Sequence, residues 1–252
     1  MTIPVAVLWV LFSIPLAVFP ILGVDPGIQL NYSLVAQIVA PMAAAFCCYI
    51  TSIIFPKDDA MRRVWGFLGA GLFCWGVGAI LFALYPLLYS GQETPYPWYS
   101  DIGYLLLVPF VLISFFIFKQ NLHVQAPLWG RVGSVVFFLG ALTLSIVFNL
   151  NKLSASDSLL PYIVTLLYTV GDPLLLGGTV IVASILAGGA VARPWWLVLI
   201  GLVFYYFSDL IYTYMIVQEK YATGNPIDTG WLLGFGCIAV AALMTRDLFK
   251  DF

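Results

Sequence analysis

Charged residues are scarce in this sequence. Only 9% of its 252 residues are charged, whereas 62% are hydrophobic; a soluble domain carries about 25% charged residues. So few charges could not cover a water-exposed surface, which excludes a soluble fold, a secreted disulfide scaffold and a disordered chain. A net charge of −2 also leaves no basic surface for nucleic acid. What remains is an integral membrane protein, with the lipid bilayer as its first partner.

The sequence also has little with which to hold a metal or cofactor. Its one histidine, His123, cannot alone form a bis-histidine haem or zinc site, and the four cysteines include no Cys-x-x-Cys pair. Walker loops, Gly-x-Ser-x-Gly motifs and acidic metal motifs are missing. All five lysines lie in predicted loops or at span ends, which disfavours a retinal protein. We therefore expect no cofactor and favour a non-enzymatic protein.

Continuous apolar stretches predict an all-α integral membrane fold with eight transmembrane helices. A spanning helix needs about 20 apolar residues, and the stretches are continuous rather than alternating as in a barrel. They lie at about 3–23, 33–55, 64–89, 102–118, 132–150, 160–187, 195–217 and 230–248. The chain is thus predicted to form one membrane domain, residues 1–252. We expect the first stretch to be a retained span rather than a cleaved signal peptide.

The basic residues predict the orientation of these spans. Of the ten Lys and Arg residues, all but Lys152 and Lys220 fall on one side of the predicted topology. By the positive-inside rule this side is cytoplasmic. We therefore expect a multi-pass protein of the cell's inner (cytoplasmic) membrane, with both termini in the cytoplasm and an acidic, aromatic-rich outer face.

An internal repeat divides the chain into two halves. The Asp-x-Gly-aromatic-Leu-Leu element that starts at Asp101 recurs at Asp228, and each copy follows a Pro-containing loop. An Arg-x-Trp element followed by Gly-Leu starts at Arg63 and again at Arg193. These matches predict two four-helix repeats, about 1–120 and 121–252, in the same membrane orientation. Such halves would be related by a pseudo-twofold axis along the membrane normal.

Two aspartates inside apolar spans are the strongest candidates for a functional site. Asp172 lies in the sixth predicted span and Asp209 in the seventh. A carboxylate within the bilayer is costly unless it is paired, protonated or hydrated. Tyr205 and Tyr212 precede and follow Asp209 by four and three residues, which predicts a Tyr–Asp hydrogen-bond network on one helix face. For Asp172 a structural role beside Pro173 stays open, because proline frees an upstream carbonyl.

Asp101 and Asp228 open the fourth and eighth predicted spans at their outer ends. Together with Asp172 and Asp209 they are predicted to converge on an outward-facing cavity between the two halves. The alternative is that both are helix N-caps, whose carboxylates satisfy free backbone N–H groups.

Three short motifs carry a resemblance to a known family. They are the segment from Pro97 through Asp101 to Leu105, the segment from Tyr168 to Pro173, and Ser208-Asp209 followed by Tyr212. In this pattern the chain resembles the multi-span sensor region N-terminal to bacterial GGDEF diguanylate cyclases and some histidine kinases. The chain departs from that family at Ala79, which aligns with Asp209 where the family often has an acidic residue. No cyclase or kinase domain follows Phe252, so the resemblance implies a module that acts through a separate output protein.

Three functions are compatible with the predicted fold and candidate site. The first is a non-enzymatic sensor or receptor-like module that binds a small apolar or cationic ligand, or a partner subunit, in the outer half of the bundle. The second is a secondary transporter or proton-coupled carrier that uses the buried carboxylates. The third is a lipid-processing membrane enzyme. In the first, the ligand-binding residues would be Asp209, Asp172, Tyr205, Tyr212, Asp101 and Asp228.

Overall fold

The computed structural model describes residues 2–90, 92–122, 124–154, 158–186 and 188–250, apart from the side chain of Asn151. His123 lies outside these residues. All regular secondary structure in the described part of the chain is α-helical. The helices are α1 (Thr2–Val18), α2 (Pro26–Ser52), α3 (Ala60–Leu88), α4 (Tyr99–Leu122), α5 (Leu128–Ser154), α6 (Leu159–Leu186), α7 (Ala192–Val217) and α8 (Asp228–Phe249).

Seven of these helices, α2 to α8, are long and apolar enough to cross a membrane. Helix α1 has 17 residues, which at 1.5 Å per residue gives about 26 Å, slightly less than a typical hydrocarbon core. The all-helical, multi-pass membrane class predicted from composition is therefore confirmed. Many large apolar side chains on the outside of the bundle are exposed, for example Val135, Val136 and Leu139 of α5.

Helix starts follow from local capping chemistry. Asp25 caps α2, because its carboxylate accepts hydrogen bonds from the N–H groups of Gly27 and Ile28 at 2.9 and 3.2 Å. Asp59 caps α3 in the same way, accepting from the Met61 N–H at 2.7 Å. Side-chain acceptors at these positions satisfy backbone donors that have no partner within the helix.

Helices that follow one another in the sequence pack together, and contacts between helices distant in the sequence hold them in one bundle. Helix α3 packs between α2 and α4, α6 packs against α4, α5 and α7, and α8 packs against α7, α1 and α2. The α2–α8 and α4–α6 contacts join the first four helices to the last four. Residues of α3 to α8 therefore surround a common interior.

Glycines allow two of the helix pairs to approach closely. A Cβ added at Gly103 of α4 would lie 2.6 Å from both the Cys74 carbonyl oxygen and the Gly78 nitrogen of α3. A Cβ added at Gly201 of α7 would lie 2.6 Å from the Gly234 carbonyl oxygen of α8. Small residues at such positions let membrane helices pack backbone to backbone.

A dense aromatic core fills one end of the bundle. The rings of Trp65 and Trp195, near the starts of α3 and α7, have centroids 5.6 Å apart, and Phe118 packs on Trp195 at 4.3 Å. All three side chains are almost fully buried. Side chains fill this end of the bundle. A cavity lies near the other end, where α3 and α7 end and α4 and α8 begin. We call that the cavity end.

The Gly103 contact gives the first testable prediction. Gly103→Ala should destabilise the protein by about 1–3 kcal/mol, because an added methyl overpacks the α3–α4 contact against backbone atoms that cannot move aside. The matched control is Gly140→Ala, where an added Cβ meets nothing within 4 Å. Thermal unfolding in detergent should show a clear drop for the first variant only. Equal midpoints would mean that α3 and α4 are not in backbone contact here.

Candidate functional site

A cavity of about 150 Å³ lies at the cavity end, lined by residues of α2 to α8 and of the loops before α4 and α8. Its wall is a mixture of aromatic rings and ionisable groups. The aromatic part comprises two tryptophans, one phenylalanine and seven tyrosines: Trp75, Trp231, Phe82, Tyr96, Tyr104, Tyr168, Tyr205, Tyr206, Tyr212 and Tyr221. The charged groups that line it are Asp101, Asp172, Asp209 and Lys152.

Asp209 is a hydrogen-bonded carboxylate of the cavity wall. The Trp231 indole Nε1 donates to its Oδ1 at 2.7 Å. Tyr205, one turn earlier on α7, lines the same cavity. Asp209 is only half-buried, because part of the side chain faces the cavity. Asp209 is thus held in place by a hydrogen bond, while part of its side chain stays accessible to a molecule in the cavity.

Asp172 faces the same cavity as Asp209. Both carboxyl groups line it, and Asp172 is 6% exposed. Two carboxylates that face one space repel each other, and a positive group between them relieves that repulsion.

Asp101 both lines the cavity and holds the start of α4. Its Oδ1 accepts from the Tyr168 hydroxyl of α6 at 2.8 Å, and its Oδ2 accepts from the Trp98 N–H at 2.7 Å. The second bond is the returning half of a capping box, in which a first-turn acid bonds the residue before the helix. The sequence left a cavity residue and a helix cap as alternatives, and this geometry combines the two.

Asp228 differs from the sequence prediction, because its side chain does not line the cavity. It is fully buried, and its carboxylate accepts from the Tyr221 hydroxyl at 2.9 Å, the Ser33 hydroxyl at 2.7 Å, the Gln37 amide at 3.2 Å and the Gly224 N–H at 2.8 Å. It is also not an N-cap of α8, since the N–H it binds lies four residues before it. It ties α8 to α2 and to the preceding loop, and its partners Gln37 and Tyr221 line the cavity.

The two predicted tyrosines occupy different parts of the wall. Tyr205 is buried, and the centre of its ring lies 6.0 Å from that of Phe235 on α8. The Tyr212 ring lies edge-on to Tyr221 at 4.6 Å and to Trp231 at 5.6 Å. Tyr205 thus packs into the core beside α8, while Tyr212 belongs to an aromatic cluster with Tyr221 and Trp231.

Lys152 and Tyr96 contact each other in the cavity wall. The Lys152 Nζ lies 4.2 Å from the centre of the Tyr96 ring, a cation–π contact, and the Tyr96 hydroxyl bonds to Thr165 Oγ1 at 2.8 Å. Burial lowers the pKa of Lys152, whereas the charges of Asp101 and Asp209 act in the opposite direction. Burial raises the pKa of Tyr96 to about 12, so this phenol is neutral at physiological pH.

Sequence reasoning missed several wall residues, above all Lys152, which counts as an ordinary loop lysine in the predicted topology. The spacing of polar residues along α5 could have identified it. Ser145, Asn149 and Lys152 are spaced i, i+4 and i+7, which places three polar groups on one face of the helix. Trp231 and Trp75 gave no such signal, because tryptophan near a membrane interface is expected without any functional role.

The cavity is not built as a metal centre. Among the residues that the structure describes, no group of three or more His, Cys, Asp or Glu side chains is placed to hold a metal ion. Comparison with known proteins adds no assignment: no family model, curated protein or solved structure matches the chain. The resemblance to sensor regions therefore stays a prediction from the short motifs alone.

The buried Asp228 network gives the second prediction. Asp228→Asn should destabilise the protein by at least about 1–3 kcal/mol, because an amide nitrogen facing the Ser33 and Gln37 donors leaves buried groups unsatisfied. Asp58→Asn is the matched control at an exposed position and should change stability little. Chemical or thermal unfolding in detergent measures both. A neutral Asp228→Asn would show that these hydrogen bonds do not hold α8 to α2.

Proposed function

We propose that this protein is a non-enzymatic, receptor-like membrane module that binds a small ligand in the cavity at the cavity end. The observation that carries the proposal is the convergence of hydrogen-bonded carboxyls, one lysine and aromatic rings from six helices on a space of about 150 Å³. A concave, largely apolar pocket with a few convergent polar groups is the usual form of a small-molecule site.

Pseudo-symmetric contacts support the two-repeat organisation within this proposal. With the sequence shifts of the repeat, the close contact of Gly71 with the Leu107 carbonyl, 3.2 Å from an added Cβ, corresponds to that of Gly201 with Gly234 at 2.6 Å. The equivalent Trp65 and Trp195 also stack on each other, as residues beside a twofold axis would. In this scheme α1 is the eighth span.

The arrangement of basic residues supports an orientation for the site. With eight of the ten Lys and Arg residues on the cytoplasmic side, the cavity end faces outward and both termini face the cytoplasm. A ligand would then enter from outside an inner membrane. This is the arrangement that a receptor for an external small molecule needs.

A route from ligand to response follows from which helices meet at the cavity. Asp101 belongs to α4 in the first half, whereas its partner Tyr168 and the carboxyl groups of Asp172 and Asp209 belong to α6 and α7 in the second. A ligand that contacts both halves stabilises one relative arrangement of them and thereby shifts the population of states. By the resemblance to sensor regions, the readout would be a separate output protein or membrane subunit.

A proton-coupled carrier is the second candidate, favoured by one specific observation. Asp172 and Asp209 line the cavity from within the apolar helices α6 and α7, where carriers place their coupling groups. Against it stands the packing of the almost fully buried Trp65 and Trp195 at the opposite end of the bundle. Proton-coupled uptake of a small solute into proteoliposomes would select the carrier over the receptor.

The receptor proposal predicts an occupant that depends on Asp209. Native mass spectrometry of the protein purified in mild detergent should show a bound small molecule, which is lost from Asp209→Asn because the ligand loses its charged partner. Asp58→Asn, an exposed position, serves as the control and should retain the occupant. Retention by both variants, or a cavity filled by packed side chains in every preparation, would overturn the proposal.

A further inference from the structure

We infer that the cavity takes a small organic monocation, an amine or a quaternary ammonium compound, held over the carboxylates and enclosed by aromatic rings. This inference rests on the proposed function and narrows it to a ligand class. Four features of the site support this inference: its volume, the excess of acidic over basic groups in its wall, its aromatic rings, and the cation–π contact between Lys152 and Tyr96.

The volume limits the ligand to a few non-hydrogen atoms. An engineered cavity of about 150 Å³ holds one benzene molecule, and the cavity here has the same size. Filled with water instead, it would contain about five molecules. Lipids, nucleotides and peptides are therefore too large, and the ligand has about the dimensions of choline.

The charge of the wall calls for a positive ligand. Three carboxyl groups line the cavity, those of Asp101, Asp172 and Asp209. Lys152 is the one basic side chain among the described residues that line it, so acidic groups outnumber basic ones in the wall. In a region of low dielectric an excess negative charge is costly unless it is compensated. A cation compensates it, whereas an anion would add to it.

The aromatic wall suits an ammonium group better than a hydrated metal ion. Trp75, Trp231, Tyr104 and Tyr212 line the space around Asp209. Indole and phenol faces attract cations more strongly once water is removed, and they envelop the methyl groups of a quaternary ammonium. The Lys152 ammonium, at 4.2 Å from the Tyr96 ring centre, is an example of this chemistry within the site itself.

Choline and its neutral isostere 3,3-dimethylbutan-1-ol provide a direct test. The two have the same shape and differ in the charge of one central atom. Calorimetric titration of the purified wild-type protein should show choline binding at least about tenfold more tightly than the alcohol. Tetramethylammonium and ethanolamine complete the cation panel. Propionate tests for anion binding, and sodium and potassium chloride test for inorganic cations.

Two variants should move choline affinity in opposite directions. Asp209→Asn should weaken binding, because it removes negative charge from the wall. Lys152→Met should strengthen it, because it removes the internal positive charge while keeping the length of the side chain. Asp58→Asn should leave the affinity unchanged. Size-exclusion profiles and unfolding midpoints identify any variant that is misfolded, and the ratio of choline to alcohol affinity is compared only among folded ones.

Several outcomes would overturn the inference. They are equal binding of choline and the alcohol, binding of propionate or of sodium or potassium alone, weakening by Lys152→Met as strong as that by Asp209→Asn, and no binding by any member of the cation panel. A neutral or anionic molecule found in the purified wild-type cavity would overturn the ligand class but leave the receptor proposal intact. A cavity without any occupant or binding would remove both.

Discussion

The hydrogen-bonded group around Asp209 is the constraint on which the rest of the interior depends. A carboxylate at this depth of an apolar bundle is tolerated only if its charge is shared or its oxygens are satisfied. Here the Trp231 indole of α8 donates to Asp209 of α7 at 2.7 Å, and Asp172 of α6 faces the same cavity. The requirement to satisfy these carboxyl groups thus constrains how three helices face one another.

The second layer of polar contacts extends this arrangement to the rest of the bundle. Asp101 joins α4 to α6 through Tyr168, and the buried Asp228 joins α8 to α2. In a membrane, apolar side chains gain little by leaving lipid for protein, so close packing and interhelical hydrogen bonds decide how helices pair. The cavity lies beside this layer of polar contacts, at the end of the bundle opposite the buried Trp65 and Trp195.

The sequence predicted the helices better than it predicted the site. Every helix was foreseen to within several residues, because continuous apolar runs mark spans regardless of how the spans pack. Asp209 and Asp172, which line the cavity, were singled out from the sequence, since an acid in an apolar run is conspicuous; their role in a site stays a prediction. Lys152 and Trp231 were not, because a lysine near a span end and an interfacial tryptophan are ordinary in isolation. Only the packing of α5 and α8 against α7 brings them to Asp209, and Asp228 was misplaced for the same reason.

The most direct measurement is the location of a heavy-atom cation in the protein. Arsenocholine has the shape and charge of choline, and its arsenic atom gives an anomalous X-ray signal. Crystals grown with it should show one anomalous peak inside the cavity, beside the Asp209 carboxylate and the rings of Trp75 and Trp231. Peaks confined to the protein surface, with only water in the cavity, would show that this space is not a cation site.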